Sequence, residues 1–316
     1  MKSNLDIVKE CDNFPYYAPG NSEDYEQLLS SLWLFFLPDD PMPHGFIVDS
    51  VARKMPWTTD FKVIPSPRKE VHLLRSNKDD WQEHRTQAID SLLDEAIAKK
   101  VFSGLNRKRG ELWPIVGAEF DVHIDRAAIS YLGIIGRGVH MTAYTRSPTG
   151  FKFWIPQRNL NKKTYPGMLD NTVAGGVASG ETPFSCLIRE AAEEAEVAEL
   201  VRAGAGAAGT VSWLNISDEK AGGDAGLMNP GVLYVYDLEV SDNLVLKPVD
   251  NDIHAFHLLS EVEVSEAMAR GEFKPACACV ILDFFVRHSL ISPDTEKDYV
   301  EIVSRLHRKL PFDTSH

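Results

Sequence analysis

The chain has 316 residues, 44% of them apolar and 25% charged, with a formal net charge of −13. That length makes one large domain or two modest ones, with ample apolar material for a core, and the acidic balance argues against a nucleic-acid backbone as partner. No run of about 18 apolar residues offers a membrane span; the N-terminus has no apolar signal core; and four cysteines are too few for a disulfide framework, so a soluble, cytoplasmic protein with no membrane partner is expected.

In chain order, an apolar run covers Leu28 to Leu37 and "PDDPMPHG" (Pro38 to Gly45) reads as a turn. "KEVHLLR" (Lys69 to Arg75) alternates like a strand, and Trp81 to Val101 spaces its apolar residues three and four apart, as a helix does. "NRKRG" (Asn106 to Gly110), the one dense basic cluster, reads as a solvated loop, and "ELWPIVG" as a short strand. From about Tyr131 the character changes. "GVHMTAYTR" and "FKFWIPQR" are strands joined by a "SPTG" turn. A loop over Leu169 to Glu181 leads to a helix with Thr182 as N-cap and Pro183 as its first residue. "GTVSWLNIS", "VLYVYDLEV" and "DIHAFHLLS" are strands, with a long loop from Asp218 to Gly231. Three helices follow in "EVEVSEAMARG", "PACACVILDFFVRHS" and "DYVEIVSRLHRKL". Strands and helices mix without regular βαβ alternation, which predicts an α/β (α+β) fold with a mixed sheet and helices on both faces. The division expected is an α+β domain over residues 1–130 and a second domain over residues 131–316. Buried thiols are expected for Cys186, Cys277 and Cys279, with Cys11 left open; Cys277-Ala278-Cys279 lacks the spacing of a zinc knuckle.

The helix from Pro183 carries the chemistry. Glu190 and Glu194 are four apart on one face, with Glu193 beside them. Like charges at this spacing destabilise an isolated helix, and only Arg189 is near to compensate. Three clustered carboxylates suit a hard divalent cation, which takes oxygen ligands. Leu187, Ala191 and Ala195 form an apolar face on which the helix can pack against a sheet. Upstream, Gly175, Gly176 and Gly180 let a backbone approach a ligand closely, and Glu181 is placed to pair with Arg189. His140 and His254 read as structural histidines.

The full spacing is Gly175, five residues, Glu181, seven residues, Arg189-Glu190, two residues, Glu193-Glu194, with Ala191 and Val197 at aliphatic positions. It resembles the box of the Nudix hydrolases, which cleave a diphosphate linked to another group, except that Glu196 stands where the box ends in glycine. "KKTYPGMLDNTVAGGV", "RAAISYLGIIGRGVHMTAY", "LYVYDLEV" and "GEFKPACACVILDFFVRHSLI" are similar to one subgroup, with an extra N-terminal domain, related to the Nudix part of fungal thiamine pyrophosphokinase fusions. Members of that subgroup commonly lack the final glycine too.

The resemblance implies an α/β/α sandwich, Mg²⁺ or Mn²⁺ as cofactor, and attack of water on a phosphorus atom. Glu190 and Glu194 are the implied metal ligands, Glu193 a third ligand or a water-positioning group, and Gly175 a carbonyl ligand; Arg189, Glu181 and Gly176 shape the motif. Asp250 and Asp252 are candidates for the base, with a turn role as the other reading; Asp252 is shorter than the glutamate family members tend to carry there. Arg158 and Lys163 are candidates to contact phosphate, and Trp154, Trp213 and Tyr234 to stack on a substrate ring; surface charge and core packing are their plainer readings. The subgroup's implied substrates are thiamine diphosphate and its oxidised analogues. Alternatives are an ADP-ribose or nucleoside-diphosphate-X pyrophosphatase, a non-catalytic module that binds a phosphorylated metabolite, and an isomerase of the isopentenyl diphosphate type. For the N-terminal domain two roles stand: closing over the substrate, or holding a homodimer.

Overall fold

In the computed structural model, which describes residues 1–148, 150–219, 223–249 and 251–315, the chain opens with a helix that the sequence pattern did not announce. Helix α1 (Asn4–Cys11) is started by a capping box in which Ser3 and Asp6 satisfy each other. It belongs to a unit made of Met1–Asn13, Arg137–Trp213 and Gly231–Lys309; a second unit holds Phe14–Gly136, Leu214–Pro230 and Leu310–His316.

The second unit is built from α2 (Ser22–Ser31), β1 (Trp33–Phe36), β2 (Pro43–Ile47), α3 (Asp49–Lys54), β3 (Phe61–Ile64), β4 (Glu70–Leu73), α4 (Glu83–Ala98), β5 (Leu112–Pro114), β6 (His123–Asp125) and α5 (Ile129–Leu132). The apolar run Leu28 to Leu37 breaks at Leu32 into the end of α2 and all of β1. Four strands form a sheet in the order β2-β1-β4-β3, with β1 and β4 parallel and the other pairs antiparallel. Helix α4 buries Ala88, Ile89, Leu92, Leu93 and Ala96, the three-and-four spacing of a helix lying on a sheet, and these side chains share a core with Phe35, Ile47, Val71 and Leu73. The segment expected as a loop over Asp218 to Gly231 is tied into this unit: Asp224 accepts a hydrogen bond from Tyr131 Oη at 2.7 Å and another from Ser103. Lys220, Ala221 and Gly222 lie outside the described residues.

The first unit continues with β7 (Gly136–Ser147), β8 (Gly150–Arg158), β9 (Val173–Gly176), α6 (Pro183–Ala195), α7 (Ala198–Gly204), β10 (Gly206–Ile216), β11 (Met228–Glu239), β12 (Ile253–Ser260), α8 (Glu261–Arg270), α9 (Pro275–Arg287) and α10 (Tyr299–Leu306). Its sheet runs β10-β11-β7-β8-β12, and β9 pairs β7 over Gly138–Met141, beyond the Tyr144–Ser147 stretch that pairs with β8. Strand β9 corrects the reading of Leu169 to Glu181 as loop. Four residues with two glycines carry too little side-chain pattern to announce a strand, and their pairing comes from β7, where Gly138 faces Gly176 and Met141 faces Val173.

Both faces of this sheet are covered. On one, Val139, Met141, Ala143, Trp154, Val173 and Tyr236 meet Cys186, Leu187, Ala191 and Ala195 of α6. On the other, Tyr144, Phe153, Ile155, Val211 and Val235 meet α9, whose buried residues are spread round its circumference because α1, α8 and α10 enclose it. Cover on both faces leaves β7 buried from Arg137 to Thr145, although its sequence alternates Val139, Met141 and Ala143 with His140 and Thr142. All four cysteines are buried and free, Cys11 included, since α1 lies against α9.

Candidate active site

Strand β9 and helix α6 run side by side and are fastened at both ends. The Ala174 N–H donates to Glu194 Oε2 at 3.1 Å. The Gly176 carbonyl accepts from the Cys186 thiol at 3.1 Å and from Arg189 Nη2 at 3.4 Å. Between these, the Glu190 side chain fills the space beside Gly175: a Cβ there would come within 2.1 Å of the Glu190 carboxyl carbon and Oε1. Glycine at 175 is therefore a steric requirement of this carboxylate's position.

The helix begins as the sequence predicts. Thr182 Oγ1 accepts from the Ser185 N–H at 3.1 Å, and Pro183 occupies the first helical position, where no N–H is needed. It ends on Glu196 in the left-handed conformation, φ 53° and ψ 30°, with the Val197 N–H closing onto the Ala191 carbonyl at 3.1 Å. A side chain in that conformation is strained, which is the physical reason for glycine at the end of the box. Glu196→Gly is expected to raise stability by about 0.5–1 kcal/mol in urea unfolding; an unchanged midpoint would refute the strain.

Arg189 organises the carboxylates. Its Nε and Nη2 grip Glu181 bidentately at 2.6 and 3.0 Å, while Nη1 reaches Glu190 at 2.8 Å and Glu193 at 3.3 Å. The guanidinium holds the Glu181 carboxyl below the usual range, and Glu181 in turn raises Arg189 above its own. Burial pushes the Cys186 thiol up to about 12, so it is no nucleophile at neutral pH. Three carboxylates (Glu181, Glu190 and Glu193) thus gather round one arginine, with Glu194 on the same helix tied to Ala174, and leave an excess of negative charge. The Glu190 side chain is 15% exposed and that of Glu193 54%, with Glu194 half-buried. An all-oxygen donor set seated on a glycine cradle fits a hard divalent cation and does not fit a soft one.

The remaining sequence candidates are distributed unevenly. Trp154 and Tyr234 lie on the α6 face of the sheet, Trp154 buried in its core. Trp213 lies on the opposite face, its indole seated over Gly231. Strand alternation separates it from the other two, so the three rings do not form one platform. Arg158 has its donors taken: Nη1 by Asp170 at 2.9 Å, Nε and Nη2 by Thr164 and Tyr165. A phosphate would have to displace one of these, which argues against the phosphate contact expected of it. Lys163 is exposed. Asp252 pairs with Lys162 at 2.5 Å. The loop leading to Asp252 reaches α6, where the Val249 N–H donates to the Glu194 main-chain oxygen at 3.3 Å. Asp250 lies outside the described residues.

A second cluster sits beneath the sheet. His140, Asp170 and Cys277, all buried, bring ligand-type atoms within 4.8 Å of one another. The Cys277 thiol donates to Asp170 at 2.7 Å, His140 Nδ1 shares a hydrogen with Asn171 at 2.6 Å, and Asp170 is matched by Arg158 and, at 3.8 Å, Lys274. Burial lowers His140 to about 4 and raises the Cys277 thiol. Each group already has its partner, so the cluster reads as a closed network locking "LDN" against α9. Residues 137 apart in sequence meet here, which local spacing does not signal.

Residues 137–277 match the family model for the NUDIX domain, and residues 44–136 match the model named Domain of unknown function (DUF4743). The yeast (Saccharomyces cerevisiae) protein YJR142W is 32% identical over 99% of this chain and 92% of its own length. The chain carries a Nudix domain behind a DUF4743 domain. Nudix hydrolase 20, chloroplastic, and Nudix hydrolase 24, chloroplastic, both of Arabidopsis thaliana, are each 34% identical over 72% of this chain. The match spans 59% and 60% of the lengths of these two plant proteins. Family members are hydrolases of pyrophosphate bonds and generally use a divalent metal, and the DUF4743 match covers most of the second unit. Among the described residues, no helix of this Nudix chain is long and apolar enough to cross a membrane.

Proposed function

We propose that this Nudix protein hydrolyses the diphosphate of a small molecule with Mg²⁺, or Mn²⁺ in its place, and that its substrates are thiamine diphosphate and the oxidised oxo- and oxy- analogues, cleaved to the monophosphate and phosphate. The observation that carries the hydrolytic reading is the seating of Glu190 on Gly175 beside Glu194, with Arg189 holding Glu181 on the other side. Glu190 and Glu194 are the residues proposed to hold the cation, with Glu193 and the Gly175 carbonyl completing the set. When bound, a divalent cation neutralises charge growing on the phosphoryl oxygens and makes a water more acidic. Asp252, on the segment that follows the Val249 contact with α6, is the proposed acceptor of the water proton. Arg189 and Glu181 orient the carboxylates without touching substrate, and Lys163, exposed upstream of β9, is proposed to contact phosphate.

The thiamine reading is supported by the segments that resemble the subgroup, "KKTYPGMLDNTVAGGV" above all. The test is product analysis of the purified protein with Mg²⁺ against thiamine diphosphate, its oxo- and oxy- analogues and ADP-ribose. Phosphate and the corresponding monophosphate are expected from the thiamine compounds. Release of AMP from ADP-ribose with no turnover of the thiamine set would overturn the substrate assignment and leave the diphosphate chemistry standing.

A further inference from the structure

Arginine is seldom buried without a partner, because desolvating a guanidinium costs several kcal/mol unless an anion or acceptors compensate. Arg137 is buried at 8% exposure, and its Nε has no acceptor among the described residues. Every other buried arginine here has an acid: Arg85 has Asp60, and Arg308 has Asp12.

The register of β7 places this residue. Val139 and Met141 face α6, and Gly138 turns the other way, towards Leu233. Alternation therefore sets Arg137 on the α6 face, two residues along the strand from Val139. Val139 pairs with Gly175, the residue on which the Glu190 carboxylate rests. The next residue pair is held by the Val177 N–H donating to the Arg137 carbonyl at 3.1 Å. Diagonal neighbours on adjacent strands are roughly 7–8 Å apart, within the span of an arginine side chain. So a buried cation stands one strand-diagonal from a cluster of carboxylates and pairs with none of them.

We infer that Arg137 is the anion-recognition residue of this site, its guanidinium receiving phosphoryl oxygens of the substrate diphosphate. The inference rests on the reading of the site as a diphosphate hydrolase. It supplies what the glutamates lack: a planar fork of donors matched to phosphate, in a region otherwise negative. Its cost in the unliganded protein is a buried Nε–H without an acceptor, which the substrate relieves on binding.

That cost provides the test. Calorimetric binding of methylenediphosphonate, a diphosphate whose bridge does not hydrolyse, is measured with Mg²⁺ present on the parent, Arg137→Met and Arg137→Lys, together with thermal melts. Arg137→Met is expected to bind roughly ten- to a hundredfold more weakly while melting at or above the parent temperature, since a buried N–H without an acceptor has been removed. Arg137→Lys, which keeps the charge and loses the fork, is expected to fall between. A structural arginine gives the reverse: a lower melting temperature with affinity unchanged. If Arg137→Met fails to fold, Arg137→Lys decides, and parent-like affinity in it overturns the assignment. A parent that binds methylenediphosphonate through Arg137 yet turns over no thiamine compound loses only the substrate reading. A parent that hydrolyses diphosphates while both variants bind as it does loses only the arginine assignment.

Discussion

Glu194→Gln is expected to lower turnover on the order of a thousandfold while leaving the fold intact. The substitution is isosteric, and the amide oxygen still accepts the Ala174 N–H that now reaches Glu194 at 3.1 Å. What disappears is one negative charge from a cluster that already has more carboxylates than its arginine can neutralise. Helix α6 therefore loses repulsion and gains no unsatisfied group, so stability should hold or rise slightly. Cation binding is where the loss falls. A divalent ion contributes several kcal/mol of stabilisation to the charge developing on phosphate, and each 1.36 kcal/mol is about a factor of ten in rate. The measurement is steady-state turnover of the best diphosphate substrate with a parallel Mn²⁺ titration. Turnover within a few-fold of the parent, or an unaltered Mn²⁺ affinity, would remove Glu194 from the ligand set.

Gly175→Ala should separate geometry from charge, because it adds one methyl and changes no ionisable group. The new Cβ would stand 2.1 Å from the Glu190 carboxyl carbon and 2.2 Å from its Cγ, so the side chain has to leave. Glu190 is the movable end of a half-buried side chain and can swing outward, so the cost in stability should stay below about 1 kcal/mol, less than typical overpacking of a rigid core. Activity is another matter: misplacing a catalytic group by about 1 Å can cost 10²-fold, and a drop of that order is expected. Stability and turnover measured on the same preparation decide between the two effects. An alanine variant as active as the parent would show that the position of Glu190 is irrelevant to the chemistry.

Much of this site was legible because its parts are close in sequence. The Gly175-to-Glu194 offsets, the Thr182 cap, the Glu181–Arg189 pair and the apolar face of Leu187, Ala191 and Ala195 all follow from the 3.6-residue turn and from residues within twenty positions of one another. Helix and strand periodicities named α4, β7, β8, β11, α8 and α9 for the same reason. The end of the box was legible too: Glu196, which stands where the box has glycine, takes a positive φ.

Other features were settled by contacts across the chain. The four residues of β9 pair because β7 offers an open edge. Helix α1 joins the unit that resumes at Arg137 because its apolar side meets α9, nearly the whole chain away. Trp213 is turned from Trp154 and Tyr234 by strand alternation within a sheet whose order no local pattern states. Arg158 and Arg137 look alike as basic residues on neighbouring strands. One is claimed by Asp170, Thr164 and Tyr165, and the other is buried with its Nε unmatched. The sequence by itself determined which carboxylates of the box share a face, since spacing along one helix sets it. Only the tertiary structure decided which arginine is buried with its Nε unmatched, because burial and partnering depend on segments that sequence proximity does not bring together.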